Sequence, residues 1–175
     1  VPVILFPGGA HAMSSSADGI LFMMLMNSRS RQFLIEEQLI GAPLIDQFGI
    51  KSIPTGYIVC APGGKVGEVG DADLIQSDDM NAISAYCKTA EMYGFSTIYL
   101  EAGSGASQPV HAELIRTAKS SSKCTLIIGG GIRTTEQLLS AANAGADYIV
   151  TGTITEEHDS LESLREQLHS LISVL

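Results

Sequence analysis

Basic side chains are scarce in this 175-residue chain: 10 Lys and Arg stand against 19 Asp and Glu, a formal charge of −9. So acidic a surface excludes a nucleic-acid groove and a general affinity for anionic membranes, and leaves any anionic ligand to a local site. Long apolar runs are missing too. ILFMMLM, from Ile20 to Met26, falls far short of the ~20 residues that a membrane-spanning helix needs. The opening VPVILFPGG has neither a basic leader nor a small-residue cleavage site, so no secretory signal is read there. Cysteine is sparse: Cys60, Cys87 and Cys124 are odd in number, widely spaced and mostly set in apolar runs. Reduced core thiols in a cytoplasmic protein are expected, in place of disulfides or metal ligands. The four histidines, His11, His111, His158 and His169, show no metal-ligand spacing.

What the chain does have is a repeat of short apolar run, Gly/Ser/Pro-rich turn and amphipathic helical stretch, the mark of βα units. The spacing predicts strands over Pro2 to Phe6, Gly19 to Met26, Ile53 to Ala61, Thr97 to Glu101, Thr125 to Ile128 and Tyr148 to Thr151. Most are apolar without alternation, as in a parallel sheet covered on both faces. Helices are predicted at Arg31 to Phe48, Met80 to Tyr93, Pro109 to Ser120, Thr135 to Ala144 and Ser160 to Ser173. Pro109 suits a first helical turn, and Gly94 and Gly145 read as helix stops. The connection from Ala61 to Asp79 is long and turn-rich. Its Asp71, Asp73, Asp78 and Asp79 read as a solvated loop and not as metal ligands.

Six such strands fit either an open doubly wound sheet or an α/β barrel of the TIM (β/α)8 type that lacks its first two βα units. The chain opens directly in a strand without a Met, and about sixty upstream residues would supply two more units at the usual repeat length. The barrel is favoured, because two successive strands end in glycines and that fold commonly builds a phosphate site from the loops after strands seven and eight. Residues 1–175 are thus expected to form a single phosphate-binding domain, strands three to eight of a barrel.

The stretch LIIGGGIRT, Leu126 to Thr134, leaves its strand through three glycines, and about twenty residues later a second strand ends in Gly152 and Thr153. Glycines admit a ligand to within hydrogen-bond reach of the main chain, and successive free amides form a concavity for phosphate oxygens. Thr134 or Thr135 is placed to cap the next helix, whose N-terminus adds to the attraction. The strand before them ends in YLEAGSGA. It delivers the Glu101 carboxylate to the same rim, where it can bond the hydroxyls of a small polyol phosphate and accept a proton. The alternative is a salt bridge to Arg133 that merely closes the rim. Tyr99 lies two residues back on the same side of the strand.

Taken together, YLEAGSGA, IIGGGIRT, GADYIVTGT, TGYIVCAPGGKVGEVGDADLI and PVILFPG resemble the geranylgeranylglyceryl phosphate synthase family, prenyltransferases of archaeal ether-lipid synthesis with bacterial relatives that use other prenyl chains. The resemblance covers nearly the whole chain. It implies a barrel that joins sn-glycerol 1-phosphate to geranylgeranyl diphosphate with magnesium as cofactor. It also implies that the glycerol phosphate is held by Tyr99, Leu100, Glu101, Ala102, Gly103, Ser104, Gly105 and Ala106, by Gly130 and Gly131, and by Gly152 and Thr153. The family's metal ligands lie on two strands that this sequence does not contain. Family members form dimers or larger assemblies, so a homo-oligomer is expected, as is transient membrane contact on product release.

A prenyl chain needs an apolar groove, for which Phe22, Met24, Leu25, Phe33 and Leu34 are candidates, although such residues are more often core. Arg29 and Arg31 are candidates to meet a diphosphate. Two other classes use the same terminal glycines: a sugar-phosphate isomerase or FMN-dependent barrel, and a phosphate-binding module without catalysis.

Overall fold

The computed structural model describes residues 1–156 and 158–174. Six parallel strands, β1 (Ile4–Leu5), β2 (Gly19–Leu25), β3 (Lys51–Val59), β4 (Thr97–Glu101), β5 (Thr125–Gly129) and β6 (Tyr148–Val150), pair strictly in chain order. Helices α1 (Glu37–Phe48), α2 (Gly64–Val69), α3 (Met80–Met92), α4 (Ala112–Ser121), α5 (Thr135–Asn143) and α6 (Leu161–Ile172) fill the connections and the C-terminus. Unbroken sequential order is the topology of a barrel and not of a doubly wound sheet, whose order reverses at a switch point.

The sheet is curled. Phe6, just past β1, stacks on Tyr99 of β4 with ring centroids 5.0 Å apart and planes at 17°. In a flat sheet, strands three places apart lie roughly 14 Å from each other. Register sorts the side chains into layers. Leu25, Tyr57, Tyr99 and Ile127 are aligned neighbours across four strands, and Val59, Glu101 and Gly129 form the next row toward the strand ends. These odd-numbered positions face inward and pack as one cluster with Leu21, Met23 and Phe33. The even-numbered Ile58, Ile98, Leu100, Leu126 and Ile128 face the helices in a larger core with Ile83, Leu114, Ile115 and Leu138.

Several predicted bounds shift. A π-helical turn, Gln32–Glu36, precedes α1, and the short helix α2 lies inside the stretch read as a loop. Pro109 is not in a first helical turn: α4 starts at Ala112, after an extended His111. The reason is tertiary. The main chain of Gln108 and Pro109 lies so close to Gly131 that a Cβ there would come within 2.6 Å of the Gln108 carbonyl oxygen. Segment 108–110 therefore covers the glycine turn before the helix can begin. Thr134 does cap α5, in a reciprocal box with Gln137, and Asp79 caps α3 by accepting from the Ala82 amide at 2.9 Å. Asp71 pairs with Arg29 at 3.1 Å, and Asp73 and Asp78 are exposed to solvent.

Candidate active site

Two cavities open at the C-terminal rim of the strands and share a wall. The first, about 220 Å³, lies between the ends of β4, β5 and β6, where Ser104, Gly105, Gly130, Gly131, Gly152 and Thr153 line it. Gly130 has φ +82°, and a Cβ on it would collide with the Glu101 carboxylate and approach the Gly103 amide to 2.6 Å. Only glycine fits there. Tyr99, Glu101 and Arg133 complete the lining. Leu100, Ala102 and Ala106 belong instead to the helix-side core, so they shape this rim through the main chain alone. Gly103 sits behind it.

The second cavity is an apolar groove of about 450 Å³ over the inner face of β2 and β3. Met23, Leu25, Phe33, Tyr57, Val66 and Val69 form its walls. Of the groove candidates read from sequence, Leu25 and Phe33 are here. Phe22 packs against the Ile20, Ile45 and Ile50 cluster on the opposite face, while Met24 and Leu34 line a separate hollow against α3. Strand parity separates them, since residues 23 and 25 point inward and 22 and 24 outward. Neither Arg29 nor Arg31 lines the groove, and each is engaged by a carboxylate, Asp71 and Glu36.

Phe6, Glu101 and Ser104 line both cavities. Glu101 is 5% exposed, and its Oε1 accepts from the Gly103 amide at 2.6 Å. Burial raises its carboxyl pKa; the Gly103 amide and the hydroxyls of Tyr57 and Tyr99 act against that by stabilising the charged form. Desolvation beside this carboxylate pushes both phenols well above their ordinary range, so they stay protonated donors. The Phe6, Tyr57 and Tyr99 rings form one cluster, with the two tyrosine centroids 5.2 Å apart. The arrangement can bind an anion at the glycines, hold an apolar chain beside it and accept a proton where the two meet.

Two parts of this site escape the sequence reading. Tyr57 has a signal, since TGYIV and TIYLE each place a tyrosine two residues before the strand's last residue, with the two tyrosines in register. Asn27 has none. It is 2% exposed, its amide donates to the Val59 and Asp73 carbonyls at 2.8 Å each, and its Oδ1 accepts from the Val59 amide at 3.0 Å. It thereby ties the end of β2 to β3 and to the loop that carries α2. Among the described residues, no group of three or more His, Cys, Asp or Glu is placed to hold a metal ion. Glu101 already accepts from the Gly103 amide and interacts with the Tyr57 and Tyr99 hydroxyls, so these residues do not fit a metal site by themselves.

The geranylgeranylglyceryl phosphate synthase of Methanopyrus kandleri is 48% identical over 162 residues, 92% of this chain and 67% of that protein. That of Thermococcus kodakarensis is 46% identical over 171 residues, 98% of this chain and 68% of its own length. The chain thus spans about two thirds of the relatives it matches. The Thermoplasma acidophilum enzyme of the same name, solved with its substrate sn-glycerol 1-phosphate, superposes with a TM-score of 0.94 at 40% identity, covering 99% of this chain and 69% of that one. The tryptophan synthase α-subunit of Pyrococcus furiosus, at TM-score 0.56 and 19% identity over 94% of this chain and 58% of that one, shares the barrel fold alone. The PcrB family model matches residues 1–171, and on that match together with these identities the chain belongs to the PcrB family.

Proposed function

We propose that this chain forms the acceptor pocket and prenyl groove of a prenyltransferase that moves a geranylgeranyl group from geranylgeranyl diphosphate to the 3-hydroxyl of sn-glycerol 1-phosphate. The observation that carries the reading is the position of Glu101, the one buried carboxylate among the described residues, on the wall shared by an anion pocket and an apolar groove. The amides around Gly130, Gly131 and Gly152 receive the phosphate of the acceptor. Glu101 bonds the glycerol hydroxyl and takes its proton as the oxygen attacks the allylic carbon. The new carbon–oxygen bond forms as the bond to diphosphate breaks, and diphosphate leaves with the electron pair. Tyr57 and Tyr99 fix the carboxylate, and the groove walls hold the chain and exclude water. An isomerase or a flavin enzyme would need the phosphate pocket but not the groove.

Magnesium belongs to this proposal as the ion that neutralises the leaving diphosphate; the described residues furnish no ligand cluster for it, and no step above runs through it. The geranylgeranyl length rests on the similarity to the archaeal synthases. The reading extends to a cytoplasmic homo-oligomer in transient contact with the membrane. The three free, buried cysteines support the compartment, and the oligomer and the membrane contact rest on the resemblance to the synthase family.

The test is an assay of the full-length protein with labelled sn-glycerol 1-phosphate, geranylgeranyl diphosphate and magnesium, beside Glu101→Gln. Prenylated product from the parent and a loss of about a hundredfold or more in kcat/KM in the variant are expected. A folded parent that forms no product overturns the function.

A further inference from the structure

We propose that Lys65, at the start of α2, holds the diphosphate of the prenyl donor where the groove meets the anion pocket; this rests on the prenyl-transfer reading above. The first ground is position. The reacting carbon must lie beside Glu101, so the diphosphate bonded to that carbon must lie at the same end of the groove. Lys65 lines the groove, and the turn before it is packed against the Glu101 end. A Cβ on Gly103 would come within 2.6 Å of the Gly63 carbonyl oxygen, and one on Gly64 would meet the Gly103 Cα at 3.3 Å. Gly103 is the residue whose amide bonds Glu101. A chain of main-chain contacts thus runs from Glu101 through Gly103 to the residue before Lys65, and a flexible four-carbon stem spans the rest.

The second ground is charge. Among the described residues, Lys65 is the one Lys or Arg that lines the groove, which also carries the carboxylates of Glu37 and Glu101. Beside the magnesium of the prenyl-transfer reading, Lys65 is the positive side chain that this acidic setting offers a diphosphate. Arg133 lines the anion pocket on the other side of the shared wall, and Arg29 and Arg31 line neither cavity. The third ground is availability. The partner of Lys65 is Glu68 at 3.9 Å, with the two side chains 80% and 76% exposed. Such a pair is weak and exchanges readily for a better anion. The backbone beneath it is firm: the Gly67 amide donates to the Gly63 carbonyl at 3.0 Å, and Asn27 anchors the far end of the loop.

The experiment compares full-length parent, Lys65→Met and Lys65→Arg in two ways. Calorimetry measures inorganic diphosphate binding under saturating sn-glycerol 1-phosphate, which occupies the anion pocket, and steady-state kinetics vary each substrate in turn. Expected in K65M are at least a tenfold weaker diphosphate affinity, a similar rise in KM for geranylgeranyl diphosphate and a KM for glycerol phosphate within twofold of the parent, with K65R recovering most of the loss. Because the side chain is exposed, the melting temperature should not move. Unchanged diphosphate affinity in K65M overturns the proposal whether or not the protein turns over. A parent that forms no prenylated product, yet binds diphosphate through Lys65, overturns the prenyl-transfer reading and leaves the subsite standing.

Discussion

Glu101 shows how a single buried carboxylate can cost stability. Burial raises its folded-state pKa above the ordinary 4.5, even against the Gly103 amide and the two phenols. Between 4.5 and that raised value the folded protein binds more protons than the unfolded chain, so this group's stabilising contribution is present in acid and is lost as pH rises through the folded pKa. Glutamine has no such titration, and its side-chain oxygen can still accept from Gly103. Thermal unfolding of Glu101→Gln should therefore gain on the parent as pH rises from the ordinary 4.5 toward neutrality. A melting difference that stays flat across that range would show that Glu101 titrates normally. The same raised pKa brings a carboxylate nearer to the operating range of a general base.

At the scale of elements, the site depends on how the ends of β2 and β3 hold the loop that carries α2. The Asn27 side chain makes three bonds to the main chain across these pieces, two of them buried, and the Asp73 amide returns one to the Asn27 carbonyl at 2.8 Å. Next to it, the Ser28 hydroxyl donates to the Gly70 carbonyl at 2.6 Å. Asn27→Leu removes the side-chain bonds and leaves the buried Val59 amide without its acceptor, while the Val59 carbonyl keeps the Ile75 amide at 3.2 Å and the exposed Asp73 can turn to water. About 2–3 kcal/mol of stability should be lost, read from the denaturation midpoint at unchanged m-value. A loss under about 1 kcal/mol would mean that the loop finds other partners.

For the whole molecule, the sheet's curvature decides what meets what. β2, β3, β4 and β5 are bonded on both sides, whereas β1 and β6 are each bonded on one side among the described residues. Tyr148 and Val150 of β6 are 64% and 38% exposed, while every residue of β4 is buried. Amide hydrogen exchange on a protein of these residues should be slowest across β3, β4 and β5, and faster by at least about tenfold at Ile4–Leu5 and Tyr148–Val150. Uniform protection across all six strands would show that both edges are covered, by a second copy or by rearrangement.

Local spacing carried much of this architecture. Apolar runs and turn residues recur at the βα period, so strand order and the glycine-bearing ends could be read along the chain, and TIYLE put Glu101 at a strand end by counting alone. The cap at Thr134 and the helix stops at Gly94 and Gly145 follow from equally local chemistry. Tertiary structure decided the rest. That Phe6 meets Tyr99, that Met23 and not Met24 lines the groove, that Pro109 covers a glycine turn ahead of its helix, that Asn27 ties Val59 to Asp73 and that Gly63 packs on Gly103 depend on residues far apart in sequence. Their distances are set by how tightly the sheet curls and which face it turns inward, and neither leaves a period in the chain.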